Sequence, residues 1–80
     1  MNLVHVHYYA VLREQRGLSR ESLQTQASTP QELYHELKTR HGLGMNIDRL
    51  RVVVNDAFVD WQDKLSNGDT VVFIPPVAGG

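Results

Sequence analysis

The 80-residue chain contains no cysteine, which rules out disulfide bonds, thiolate metal ligands and side-chain thiol nucleophiles. An excess of charge is missing too. Eight Lys and Arg stand against nine Asp and Glu, a net charge of −1, so no strong field draws the chain to a polyanion, and nucleic acid is not expected as a partner. There is also no long apolar run. The opening, MNLVHVHYYA, carries histidines and lacks a basic leader, so neither a secretory signal nor a membrane span is expected, and the cytoplasm is the expected compartment. What remains is ordinary globular material, 41% hydrophobic and 21% charged, enough for one modest core. A single domain over residues 1–80 is expected.

Residues 3–9, LVHVHYY, alternate. Val4, Val6 and Tyr8 face one way and Leu3, His5, His7 and Tyr9 the other, as in a half-buried strand. AVLREQRG then suits a single helical turn or an irregular connection, and ESLQTQ a polar edge strand, giving a hairpin with a long loop. STPQELYHELKTRHG is the clearest local signal. Thr29 is placed to cap a helix, Pro30 to occupy its first position, Glu32 to complete a capping box and Gly42 to terminate it. Leu33, Tyr34, Leu37 and His41 share its apolar face. LRVVVN reads as a central strand joined to AFVDW by a tight turn at Asn55 and Asp56. A turn cluster at Asn67, Gly68 and Asp69 precedes a last strand, Thr70–Ile74, whose pairing ends at Pro75. This order predicts an α+β fold: a mixed sheet of about five strands on one main helix, compatible with a ubiquitin-like β-grasp with its first and last strands adjacent at the centre.

The chain ends VVFIPPVAGG. Gly79 and Gly80 have no Cβ and can pass through a slot closed to other residues. Pro75 and Pro76 fix their own φ and keep the residues before them extended, so the 75–80 tail projects. Six residues at about 3.3 Å each reach about 20 Å, enough to enter another protein's active site. The reactive group is then the Gly80 carboxylate, a poor electrophile until an ATP-dependent partner converts it to an acyl-adenylate. The plainer reading is a frayed end with no duty.

YYAVLRE at 8–14, TPQEL at 29–33, VVVND at 52–56 and NGDTVVFIPPVAGG at 67–80 together resemble the small subunit of molybdopterin synthase, the MoaD-like sulfur carriers of the MoaD/ThiS family. Thiamine-pathway carriers and ubiquitin-like modifiers share the fold and the Gly-Gly end but usually lack the double proline. The resemblance implies that an adenylating enzyme similar to ubiquitin-activating enzymes uses ATP on Gly80 and that a sulfur donor protein makes the thiocarboxylate. The loaded tail then delivers sulfur to cyclic pyranopterin monophosphate inside the large subunit, in a heterotetramer. It also implies no permanently bound cofactor and no acid or base from this chain. The implied tail and partner-binding residues are Pro75, Pro76, Val77, Ala78, Gly79 and Gly80, with Tyr9, Arg13 and Phe73. Arg13 matches the family's usual Arg, although a solvated loop charge reads the same way. The family's Phe-Phe pair is Tyr8-Tyr9 here, and these hydroxyls need water or a partner if buried. A carrier for thiamine or another thiolated product, and a plain interaction domain with an inert end, are the alternatives.

His5 and His7 share a strand face but lack a third ligand nearby in sequence, so no metal site is expected. Asp56, Asp60, Asp63 and Asp69 read as turn and strand-end residues. Trp61 suits either a partner anchor or core packing. On the last strand, one of the pairs Val71/Phe73 and Val72/Ile74 is core and the other is free for docking.

Overall fold

The alternation of Val4, Val6 and Tyr8 builds strand β1 (Asn2–Tyr8), and these three side chains are at most 1% exposed. A computed structural model describes residues 1–76. Helix α1 (Ala10–Arg16) follows β1 directly. The expected single turn is thus a seven-residue helix, held by burial of Leu12. Next come β2 (Arg20–Thr25), α2 (Pro30–His41), a 3-10 turn (Ile47–Arg49), β3 (Arg51–Val54), β4 (Ala57–Phe58) and β5 (Thr70–Ile74).

Helix α2 starts as its sequence requires. The Thr29 side chain accepts from the Glu32 N–H at 3.2 Å. The Glu32 carboxylate reaches back one residue further than a strict capping box, accepting from the Ser28 N–H at 2.7 Å; that bond holds its carboxyl below the usual range. At the other end Gly42 adopts φ +68, a left-handed position that costs glycine no Cβ clash, and its N–H donates to Lys38 O at 2.9 Å.

The sheet order is β2-β1-β5-β3-β4. β1 and β5 run parallel, and the other neighbours are antiparallel. This is the β-grasp, with the first and last strands adjacent and β5 at the centre. Leu33, Tyr34 and Leu37 of α2 enclose one face of the sheet with Leu12, Val52, Val71 and Phe73. Asn55 and Asp56 both have positive φ, +52 and +70, the backbone of a two-residue type I′ hairpin. β4 is shorter than the AFVDW strand expected, because Asp60 begins a turn in which its N–H donates to the Asp63 carboxylate.

Candidate functional site

Because β1 and β5 are parallel and Tyr8 registers with Phe73, the segments that follow both strands leave the sheet at the same end. Tyr9 stands there half exposed, with exposed Arg13 one helical turn on. Arg51, paired with Ile74, adds a second exposed guanidinium. Pro75 is buried and anchors the root of the tail, while Pro76 is exposed. The other residues assigned to the tail, Val77, Ala78, Gly79 and Gly80, lie outside the described residues. The guanidiniums of Arg13 and Arg51 offer hydrogen-bond donors to an anion or an acidic partner.

The structure decides which face of β5 is core. Val71 and Phe73 are fully buried. Phe73 lies 5.1 Å from the Tyr34 ring in an edge-on contact and stacks on Trp61 at 5.9 Å. The expectation that Phe73 meets a partner is therefore corrected: its ring has no surface to present. Trp61 completes this aromatic cluster.

The outward residues are Val72 and Ile74, both half-buried. Beside them Val53 registers with Val72 on one side and Phe58 on the other. Phe58 is 67% exposed, with the Arg51 guanidinium 5.9 Å above its ring. Phe58, Val53, Val72 and Ile74 thus form a contiguous apolar strip that leads to the tail root. Phe58 escaped the sequence reading. Its signal was the two-residue turn, which sets Val53 opposite Phe58 and puts both outward once Val52 is core.

The extra hydroxyl of Tyr8 has a partner. It donates to Glu21 Oε2 at 2.6 Å, and the same carboxylate accepts Arg16 Nε and Nη2, each at 2.9 Å. Burial, and then the Glu21 bond, push the phenol pKa up. The Asp69 carboxylate is occupied too, accepting from the Ser66 N–H at 2.7 Å and from Asn55 Nδ2 at 2.9 Å. These acids hold loops and strands together. His5 and His7 gain no third ligand: among the described residues no group of three or more His, Cys, Asp or Glu could hold a metal ion. Among them, too, no helix is long and apolar enough to cross a membrane.

Known proteins resemble this chain in sequence and in fold. The Escherichia coli molybdopterin synthase sulfur carrier subunit is 28% identical over 98% of this chain and all of its own length. Molybdopterin converting factor subunit 1 of Pyrococcus furiosus is 29% identical, superimposes with a TM-score of 0.80, and matches 96% of this chain and all of that one. In fold the chain also resembles a protein in the complex of subunits 1 and 2 of the Helicobacter pylori molybdopterin-converting factor: TM-score 0.68, 24% identity, 98% and 99% coverage. The ThiS family profile matches residues 6–80, and with a β-grasp whose central strand leads into the tail beside an exposed apolar strip, the chain belongs to the ThiS family of sulfur carriers.

Proposed function

We propose that this chain is the sulfur-donating subunit of a molybdopterin synthase. The observation that carries the reading is the shared end of the sheet: parallel pairing of β1 with β5 sets the tail root, Tyr9 and the apolar strip side by side. A partner held on the strip is then within about 20 Å of everything the tail reaches. Relatives similar over their full length and named for this role support molybdopterin over thiamine or another product.

In this scheme the Gly80 carboxylate attacks the α-phosphorus of ATP on an adenylating partner, and pyrophosphate leaves. Hydrosulfide supplied by a donor protein then attacks the acyl carbon and AMP departs, which leaves a thiocarboxylate. The large subunit takes the apolar strip, and the tail enters its pocket. There sulfur passes to cyclic pyranopterin monophosphate, water returns an oxygen to Gly80, and a second loaded chain completes the dithiolene. The described part of the chain binds and aims. Tyr9 and Phe58 supply apolar contact, Arg13 and Arg51 meet acidic groups, and buried Pro75 fixes the direction of departure.

Intact mass after incubation with a cognate adenylating enzyme, ATP and a sulfur source tests the reading. A gain equal to replacing one oxygen by sulfur is expected, and Gly80→Ala or one added C-terminal residue should abolish delivery to the pterin without changing the thermal midpoint. No gain with an enzyme proven active would sink it. Loading with delivery only to a thiamine-type synthase would move the chain to the other carrier class.

A further inference from the structure

The outer face of the sheet changes character from one edge to the other. Past the apolar strip, His7 registers with Val72 on one side and with Arg20 on the other, and His5 sits between Thr70 and Ser22. His5, His7, Arg20, Ser22 and Thr70, with Glu21 beneath, line a shallow hollow of about 350 Å³. His5 Nδ1 and Ser22 Oγ are 2.7 Å apart, which fixes that ring across the β1–β2 seam. The one carboxylate lining the hollow is already taken, by Tyr8 and Arg16 on the inner side. The outward positions of β1, β2 and β5 are Leu3, His5, His7, Arg20, Ser22, Gln24, Thr70, Val72 and Ile74, and none is acidic. A chain of net charge −1 therefore presents a sheet face holding a guanidinium, two imidazoles and two hydroxyls, with Glu21, paired to Arg16, as the hollow's carboxylate.

We propose that this hollow receives an acidic side chain, Asp or Glu, of the protein that docks on the neighbouring apolar strip. The inference rests on the docking reading above and adds a charged half to it. Charge complementarity argues for the occupant. Arg20 offers a fork of N–H donors to a carboxylate, with the hydroxyls and imidazoles as further donors around it. The hollow is also continuous with the strip through the His7–Val72 register, so one partner surface covers both. Like other charged halves of interfaces, this one sets orientation and salt dependence more than raw affinity.

The experiment titrates the full chain with the large synthase subunit of the same organism at low and high ionic strength. It compares wild type, a His5→Gln/His7→Gln/Arg20→Gln triple variant, Arg20→Lys and Phe58→Ala. The triple variant should bind about tenfold more weakly at low salt with a shallower salt dependence, while Arg20→Lys, which keeps the charge but not the fork, keeps the wild-type slope with a smaller loss of affinity. Phe58→Ala should weaken binding at both salt concentrations with the salt slope intact. If Phe58→Ala weakens binding and the triple variant matches wild type in affinity and slope, the acidic contact is refuted and the docking face stands. If neither variant has an effect, the docking reading falls with it. Binding of inorganic phosphate to the free chain at submillimolar concentration, seen as amide shifts at His5, His7 and Arg20, would make the hollow a small-anion site and overturn the proposal. Should the triple variant fail to fold, Arg20→Glu alone, at an exposed strand position, carries the same test with a larger expected loss.

Discussion

Replacing Tyr8 by Phe removes one oxygen and asks what it was worth. That oxygen donates to Glu21 Oε2 at 2.6 Å, while Arg16 holds both oxygens of the same carboxylate. A hydrogen bond to a charged acceptor contributes about 1.5–3 kcal/mol. The low end applies, because Glu21 keeps its two-point contact with Arg16 and the Phe ring leaves no buried group unpaired. At about 4–8 °C per kcal/mol for a domain of this length, a loss of about 1.5 kcal/mol lowers Tm by about 6–12 °C. Thermal unfolding followed by circular dichroism measures it. The sign with pH follows from Glu21. Its hydrogen bonds to Arg16, opposed by partial burial and reinforced by Tyr8, hold its carboxyl below the ordinary 4.5. The contribution is therefore complete above about 4.5 and is lost as pH falls through the lower folded value. The gap between wild type and Tyr8→Phe should be widest at neutral pH and narrow in acid. A gap under about 2 °C at neutral pH, or one unchanged well below the carboxylate range, would refute the assignment.

Other outcomes follow from the same packing. Phe73→Ala removes the ring that joins Tyr34 to Trp61 and should cost about 3–5 kcal/mol, seen as a large drop in urea midpoint. Val72→Ala, one residue away on the half-buried face, should cost under about 1.5 kcal/mol. Asp56→Gly places glycine at φ +70 in the β3–β4 turn. Relief of about 1–2 kcal/mol of left-handed cost, less about 0.4–1 kcal/mol for a freer unfolded chain, should raise stability by about 0.5 kcal/mol; a lower Tm would argue against the type I′ assignment.

Some features were legible because their causes are local. The Thr29, Pro30 and Gly42 signals mark out α2 residue by residue, since a cap acts within one turn of its own backbone. The Asn55-Asp56 turn and the alternation in β1 are equally local. Where local pattern ran out, so did the reading. Both faces of TVVFI are apolar, so period-two alternation could not say whether Phe73 or Ile74 points inward. That choice waited on Val52 and Tyr8 arriving from two other strands, and the result took Phe73 out of the docking set.

The sequence alone determined helix α2, the alternation of β1, the Asn55-Asp56 turn, the absence of cysteine thiols, and a Gly79-Gly80 pair behind Pro75 and Pro76, because composition and short-range backbone preference do not depend on the rest of the chain. Only the tertiary structure decided that Phe58 joins Val53 and Val72 in one apolar strip, that the Tyr8 hydroxyl has a carboxylate partner across the β1–β2 hairpin, and that the outward positions around His5, His7 and Arg20 are free of acids. Each of these depends on strand register and on pairings between residues distant in the chain. Such pairings are set by how the whole core closes and by no single segment.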